Sequence, residues 1–423
     1  MLEIAHIRQN TADVISRLAI KNVDANAAVK EILALDENKR SFQTKLDDVL
    51  AQLNKASKEI GDLYKAGKKQ EADDLKGKTT AWKEEITRLE AEVKKAEQEL
   101  QDKLVLLPNL PNATVPKGKT PEDNAVVFTH GDMPQLPENA LPHWELAKKY
   151  DLIDFETGVK ITGAGFPIYR GKGAKLQRAL INFFLDKATE AGYLEIEPPI
   201  MINKDSGFGT GQLPDKEGQM YHVTIDDLYL IPTAEVPITN MYRDVIVEEE
   251  ILPIKNCGYT PCFRREAGSY GKEVRGLNRL HQFDKVEIVQ IQHPDNSYKA
   301  LEEMREYVAG LLKTLELPFR TLKLCGGDMS FASALTYDME VFSGAQKRWL
   351  EVSSVSNFET FQSNRMKLRI KKGKDKPRLA HTLNGSALAL PRIVASLLEN
   401  NQTDKGIRMP KAIVPYTGFE YIS

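Results

Sequence analysis

Proline is missing from the first 107 residues, and the first one in the chain is Pro108. Glycine is rare over the same stretch. Such scarcity of chain breakers excludes a loop-rich N-terminal region and leaves long helices as the expectation. Cysteine is nearly absent: only Cys257, Cys262 and Cys325 occur. An odd, sparse set excludes a disulfide framework and fits a reducing compartment. Cys257 and Cys262 have no second pair, so no structural zinc is expected. No apolar run approaches a membrane span, and the opening MLEIAHIRQN lacks a signal-peptide apolar core. A cytoplasmic protein with no membrane association is therefore expected. A charge excess is lacking too, since 58 basic residues face 60 acidic ones for a net −2. Any nucleic-acid contact must come from local patches rather than a whole-protein field. There is also no GxxxxGK[ST] loop; Gly171-Lys172-Gly173-Ala174-Lys175 does not match one, and Gly163-Ala164-Gly165 lacks the dinucleotide spacing. A nucleotide site, if present, must be built another way.

What is present is, first, heptad periodicity. Ile32, Leu35, Phe42, Leu46, Val49, Leu53, Ala56, Ile60 and Leu63 follow a 3,4 alternation with Lys39 as its one polar intrusion. Ala72, Leu75, Thr79, Trp82, Ile86, Leu89, Val93, Ala96 and Leu100 continue it without a break. Between the seams lies Lys65-Ala66-Gly67-Lys68-Lys69, too short for a domain linker and holding a helix-breaking glycine. The pattern predicts an antiparallel coiled-coil hairpin with arms at about 28–64 and 70–103. Each arm would be about 50 Å long at 1.5 Å per residue. Residues 1–26 are expected to form a short helical cap at its base. Lys55, Lys58, Lys65, Lys68, Lys69, Lys76 and Lys78 crowd the tip. Charge on a coiled coil is usually only solvation, so these lysines alone identify nothing.

From Leu107 the character changes. Pro108, Pro111, Pro116, Pro121, Pro134 and Pro137 mark an irregular entry segment, which divides the chain into regions 1–107 and 108–423. The second region mixes helical patterns with strand candidates at 228–231, 259–265, 280–290, 339–342, 349–353 and 380–383, then a helix over 387–399. Strands adjacent in sequence predict an α+β domain with a mostly antiparallel sheet flanked by helices. The most informative segment is Thr260–Val289, two strands around a glycine-rich charged loop. Period two puts His281, Phe283, Lys285 and Glu287 on one face, and Arg264 with Glu266 on the neighbouring strand. Such a face is poor core material, because burying unpaired charge costs several kcal/mol. A ligand-facing sheet is the better reading: arginine grips phosphate bidentately and an aromatic stacks on a base.

Arg264-Arg265-Glu266 followed by Arg279-Leu280-His281-Gln282-Phe283-Asp284-Lys285-Val286-Glu287 resembles motif 2 of the class II aminoacyl-tRNA synthetases. HQFDKVE behind GLNR is similar to the seryl enzymes in particular. Leu176–Pro198 resembles motif 1, and Leu383–Arg392 resembles motif 3. Thr233-Ala234-Glu235 and Glu351-Val352-Ser353-Ser354 also match seryl-enzyme positions. The resemblance spans nearly the whole chain.

The resemblance implies an ATP-dependent serine–tRNA ligase of bacterial type. Arg264 and Arg392 are the implied catalytic arginines, on the α- and γ-phosphate respectively. Arg264, Arg265, Glu266, Phe283, Glu351, Val352, Ser353, Ser354 and Arg392 are implied to bind ATP, with Glu266 on the adenine amino group and Phe283 stacked on the ring. Glu351 and Ser354 are implied to hold Mg²⁺ with ATP. Thr233, Ala234, Glu235, Arg264, Glu287, Asn384 and Ser386 are implied to line an L-serine pocket. The family uses its hairpin on the long variable arm and elbow of tRNA(Ser), and of tRNA(Sec) where present. Lys55, Lys58, Lys65, Lys68, Lys69 and Lys76 on the hairpin, and Arg275 and Arg279 with Ser269 and Lys272 near the acceptor end, are the implied tRNA contacts. A homodimer joined through motif 1 is implied as well. His281 reads as a structural hydrogen-bonding residue, and the segment 209–223 as a mobile loop over the site. A carrier-protein ligase on the same catalytic domain would lack the hairpin, and a regulatory paralogue would be expected to lose parts of these sites.

Overall fold

The computed structural model describes residues 1–267 and 275–423. The chain forms two compact units, 1–19 with 23–108, and 20–22 with 109–423.

In the first unit, helices α1 (Ile4–Gln9) and α2 (Thr11–Ile20) precede the long helices α3 (Asn26–Lys65) and α4 (Lys69–Leu104). With 40 and 36 residues, these two run about 60 and 54 Å. They pair antiparallel along the heptad seam, every position of which is buried or half-buried. Lys39, the polar intrusion, is half-buried and donates to Glu97 Oε1 across the hairpin at 2.7 Å. The heptad reading did not mark Asp36, beside the seam, whose buried carboxylate takes Arg8 Nη1 at 3.2 Å and Arg40 Nε at 3.0 Å. At the tip, Gly67 adopts φ 76°, the left-handed conformation that glycine enters without strain. Gly67 N donates to Tyr64 O and Lys68 N to Leu63 O, which closes α3 with a Schellman turn. Lys103 Nζ meets Glu31 Oε1 at 2.8 Å, so the two arms also meet at their base.

The second unit is built on an eight-stranded sheet. Its strands in chain order are β1 (Ala125–His130), β2 (Leu194–Glu195), β3 (Ile254–Phe263), β4 (Gln282–Gln292), β5 (Phe319–Lys323), β6 (Leu335–Ser343), β7 (Arg348–Asn357) and β8 (His381–Ala389). They lie in the order β1-β5-β6-β7-β8-β4-β3-β2. Every pairing is antiparallel except that of β2 with β3. Three helices accompany it: α5 (Gly171–Glu190), α6 (Ser297–Thr314) and α7 (Leu390–Asn400).

Alternation decides which face of the sheet is core. Tyr337, Met339 and Val341 of β6, Val355 of β7, Leu383 and Ala387 of β8, and Val286 and Ile288 of β4 join one apolar cluster. Leu176, Leu180, Phe183 and Phe184 of α5 and Leu301, Met304 and Val308 of α6 complete it. The intervening residues (Thr336, Asp338, Ser354, Ser356, Asn384, Ser386, Lys285 and Glu287) fall on the opposite face. That face is the polar floor of the candidate site.

Several elements depart from the sequence reading. β8 runs past the expected 380–383 through Ala389, so Asn384-Gly385 lies inside the strand, and the following helix begins at Leu390 rather than at 387. Gly385 is opposite Ile288 on one side and Val355 on the other, and pairing on both sides overrides its turn propensity. β3 ends at Phe263, so Arg264 and Glu266 stand beyond the strand and not on a shared strand face. Glu266 has φ 48°, which breaks the period-two pattern there. β1, at the sheet's edge, and its neighbour β5 were not anticipated.

Candidate active site

Strand register assembles the site from residues far apart in sequence. β4 and β8 place Glu287 opposite Ser386, and Val289 opposite Asn384. β6 and β7 place Asp338 opposite Ser354. Directly opposed residues of an antiparallel pair share a face, so these groups converge on the polar side.

Glu287 is the hub of the inner part. Lys285 Nζ lies 2.6 Å from its Oε2, and the Thr233 hydroxyl donates to the same oxygen at 3.2 Å. Both members of the ion pair are buried, so removing either would leave an uncompensated charge at about 3–5 kcal/mol. Thr233 Oγ1 also accepts from Glu235 N at 3.2 Å. One hydroxyl thus holds the first amide of the helix Glu235–Asn240 and touches the site. Glu235 is buried, and its carboxyl is pushed up to about 7, first by burial and next by the nearby Glu287. A hydrogen bond from Gln362, and the charges of Lys285 and Arg264, pull the other way. Arg264 Cζ lies 5.3 Å from the Phe283 ring centre, over the aromatic face, and its Nε donates to Pro232 O at 3.4 Å. An arginine and an aromatic face so arranged can hold a phosphate and a flat base side by side.

The outer part is acidic and basic together. Arg392 Nη1 donates to Glu351 O at 2.7 Å, its Nε to Asn278 O at 3.1 Å, and the Glu351 carboxylate lies 3.7 Å away. Ser354 Oγ donates to Asp338 Oδ1 at 2.5 Å and approaches Glu351 Oε1 at 3.4 Å. Burial and then the neighbouring Glu351 charge hold the Asp338 carboxyl well above the usual carboxylate range. Glu351, Ser354 and Asp338 form a hard-oxygen donor set of the kind Mg²⁺ accepts. Among the described residues, no group of three or more His, Cys, Asp or Glu could cage a metal by itself.

The residues following the undescribed stretch are tightly held. Gly276 has φ 65°, and a Cβ there would come within 2.2 Å of His143 Nε2. Leu277 N donates to that nitrogen at 2.8 Å, Arg275 Cζ lies 4.7 Å from the Trp144 ring centre, and Arg279 Nη1 donates to Glu266 Oε2 at 2.9 Å. His281 Nδ1 and the Tyr221 hydroxyl are 2.8 Å apart, and Phe166 stacks on the imidazole, which makes it part of a packed wall.

Not every expected residue presents its side chain to this face. Val352 is core, and the Ser353 hydroxyl donates to Ser386 O at 2.6 Å, so these two offer a ligand only backbone atoms. Ala234 packs with Ile238 and Val289 beneath the pocket. Arg265 N donates to Gln219 O at 2.9 Å, tying the site to the segment 209–223. Within that segment the Asp215 carboxylate accepts from Gln219 N and Met220 N. Ser269 and Lys272 lie outside the described residues. In the other unit, Lys55, Lys58, Lys65, Lys68, Lys69 and Lys76 are all exposed. Lys65 approaches Asp62 at 3.8 Å and Lys68 approaches Glu71 at 3.1 Å, and the tip 55–78 balances seven lysines against five carboxylates. Asp338 and Gln362 were missed as site residues. Asp338 carried a usable signal, since Asp338 and Glu340 alternate with apolar Tyr337, Met339 and Val341 along the strand; Gln362 carried none.

A mostly antiparallel sheet whose polar face joins Arg264, just past the end of β3, to the Arg392 helix defines the class II aminoacyl-tRNA synthetase core. The family model for the tRNA synthetase class II core domain (G, H, P, S and T) matches residues 221–401, and that for the seryl-tRNA synthetase N-terminal domain matches residues 1–111. The chain is 51% identical over its full length to a serine–tRNA ligase of Salinibacter ruber, covering 99% of that protein, and 46% identical to one of Methylacidiphilum infernorum, covering all of it. A seryl-tRNA synthetase from Pyrococcus horikoshii, solved with ATP, superposes with TM-score 0.92 at 32% identity, covering 99% of each chain. A cytoplasmic serine–tRNA ligase from Naegleria fowleri, solved with AMP, gives TM-score 0.88 at 26% identity over 100% of this chain and 99% of that one. The chain belongs to the seryl-tRNA synthetase family.

Proposed function

We propose that this protein activates L-serine with ATP and transfers the seryl group to tRNA(Ser), and to tRNA(Sec) where present. The observation that carries the reading is the register placing Glu287 opposite Ser386, between the Arg264–Phe283 pair and the Arg392–Glu351 pair. The serine carboxylate brings its own negative charge to the α-phosphorus, so the protein contributes positioning and charge stabilisation. Arg264 neutralises the carboxylate and α-phosphate, Phe283 and Glu266 receive the adenine, and Arg392 takes the γ-phosphate. Arg265, Val352 and Ser353 contribute to the ATP site, the last two through their backbone.

Thr233, Glu235, Glu287, Asn384 and Ser386 enclose the amino acid. A buried set already carrying Lys285, Glu287 and Thr233 penalises alanine, which would leave polar groups unpaired. Glu351 and Ser354, backed by Asp338, would hold Mg²⁺ with ATP. When bound, that ion neutralises phosphate charge and orients the pyrophosphate leaving group.

Residues 1–107 serve as the tRNA-binding part and 108–423 as the catalytic part. The lysines Lys55, Lys58, Lys65, Lys68, Lys69 and Lys76 supply phosphate footing on the long hairpin, and Arg275 and Arg279 meet the acceptor end. The enzyme acts as a homodimer. Exposed Leu194 on the edge strand β2, and a cleft of about 500 Å³ along α5 lined by Tyr169, Gln177, Arg178, Ile181, Tyr259 and Asp284, support a face for the second copy. Three free cysteines, all buried, support a reducing cytoplasm. Serine-dependent ATP–pyrophosphate exchange is the direct test. Exchange with serine and none with alanine or glycine is expected; a preference for another amino acid would overturn the assignment.

A further inference from the structure

Gln362 lies on the short helix Phe361–Met366, 1% exposed, and every polar hydrogen of its side chain is used. Its Nε2 donates to Glu235 Oε1 at 2.7 Å and to Thr210 O at 3.1 Å. Its Oε1 accepts from the Thr382 hydroxyl at 2.7 Å. These contacts permit one amide orientation. Turned over, Oε1 would face a carboxylate oxygen and a carbonyl oxygen, two acceptors with no hydrogen between them. A glutamine so placed, in a buried site, gives the Glu235 carboxylate a fixed donor on one oxygen.

We propose that Gln362, locked by Thr382, is a positioning residue of the amino-acid site, holding the Glu235 carboxylate ready to receive the ammonium group of serine. This deepens the serine-ligase reading and rests on Glu235 as the partner of that ammonium. The charges facing Glu235 are Glu287, Lys285 and Arg264. Burial and Glu287 favour the neutral acid, while the bond from Gln362 is the strongest of the influences that favour the carboxylate. An ammonium needs the carboxylate. Loss of the Gln362 donor therefore moves the pH at which serine binds well to higher values, with little effect on ATP.

The test uses the full-length enzyme. Serine KM, kcat and ATP KM are measured by pyrophosphate exchange between pH 6 and 9 for Gln362→Met, Gln362→Glu and Thr382→Val, with ATP affinity by equilibrium binding as the check on folding. For Gln362→Met we expect serine KM to rise about tenfold at pH 7, the scale of one lost bond to a charged group, and to recover towards pH 9. Gln362→Glu moves further in the same direction, Thr382→Val less far, and ATP KM stays within about twofold. An unshifted pH profile for serine, or serine and ATP KM rising together, overturns the proposal. If Gln362→Met fails to bind ATP, Thr382→Val decides by the same two readouts. Glu235→Gln separates the layers: no effect on serine KM there sinks the underlying ligation. A large effect there with unaltered Gln362 variants sinks only the positioning role.

Discussion

Glu399→Gln is the most informative single perturbation of the catalytic unit. Glu399 and His143 are both fully buried, with His143 Nδ1 2.7 Å from Glu399 Oε1. The same oxygen accepts from His143 N and Gln346 Nε2, each at 2.9 Å, and Oε2 accepts from the Ser343 hydroxyl. Four donors thus converge on one carboxylate. A glutamine amide would aim its own hydrogens at some of them and carries no charge. Each charge-assisted bond lost costs roughly 1.5–3 kcal/mol, so the loss of two costs about 3–6 kcal/mol. At about 2 °C per kcal/mol for a domain of this size, the catalytic unit should melt roughly 6–12 °C lower. ATP KM should rise several-fold as well. His143 Nε2 holds Leu277 N, and the next residue, Asn278, offers the carbonyl that anchors Arg392. The pH dependence has a defined sign. Burial raises the Glu399 carboxyl, but its bonds to His143 and Ser343 outweigh that and hold it below its ordinary 4.5. The stabilisation is complete above that value and is lost as pH falls through the lower folded value. Calorimetry of Glu399→Gln, His143→Ala and the double variant tests this, and the pair should be strongly non-additive. A melting shift under about 2 °C, or simple additivity, would refute the reasoning.

Two further outcomes follow from the same geometry. Because burial and Glu287 hold the Glu235 carboxyl at about 7, the anion that receives an ammonium is present above that pH. Serine KM should therefore rise about tenfold between pH 8 and pH 6, visible in pyrophosphate exchange at saturating ATP, and a flat profile would remove Glu235 from the pocket. Deleting residues 28–103, whose ends meet near the Lys103–Glu31 ion pair, should spare serine-dependent exchange and abolish tRNA charging; equal loss of both would make the hairpin structural.

Much of the fold was legible because its signals are local. The 3,4 spacing from Ile32 to Leu100 needs only neighbouring turns, and α3 and α4 realise it. Asp36 escaped notice because its burial depends on Arg8, 28 residues earlier, as well as on Arg40 in the next turn. Within the site, Arg264, Glu287, Ser386 and Arg392 were legible through motif resemblance. Asp338 and Gln362 were not, because each acts through a partner that a different element supplies. The side-chain directions of Val352 and Ser353 were equally hidden. Alternation sets Ser354 beside Asp338 and turns Ser353 away, and the register shift between Met339 and Glu340 leaves Val352 without a partner, so it too faces the core.

The sequence by itself determined the helical hairpin, the α+β class of the remainder and the strand pair around the charged loop. Periodicity and chain breakers act over a few residues and do not wait for the rest of the chain. Tertiary structure alone decided that Asn384-Gly385 lies in a strand and that Glu266 leaves the strand face. It also decided that Glu235 receives a donor from Gln362, 127 residues away. Those outcomes depend on sheet register and burial, which place polar groups opposite one another without regard to their distance along the chain.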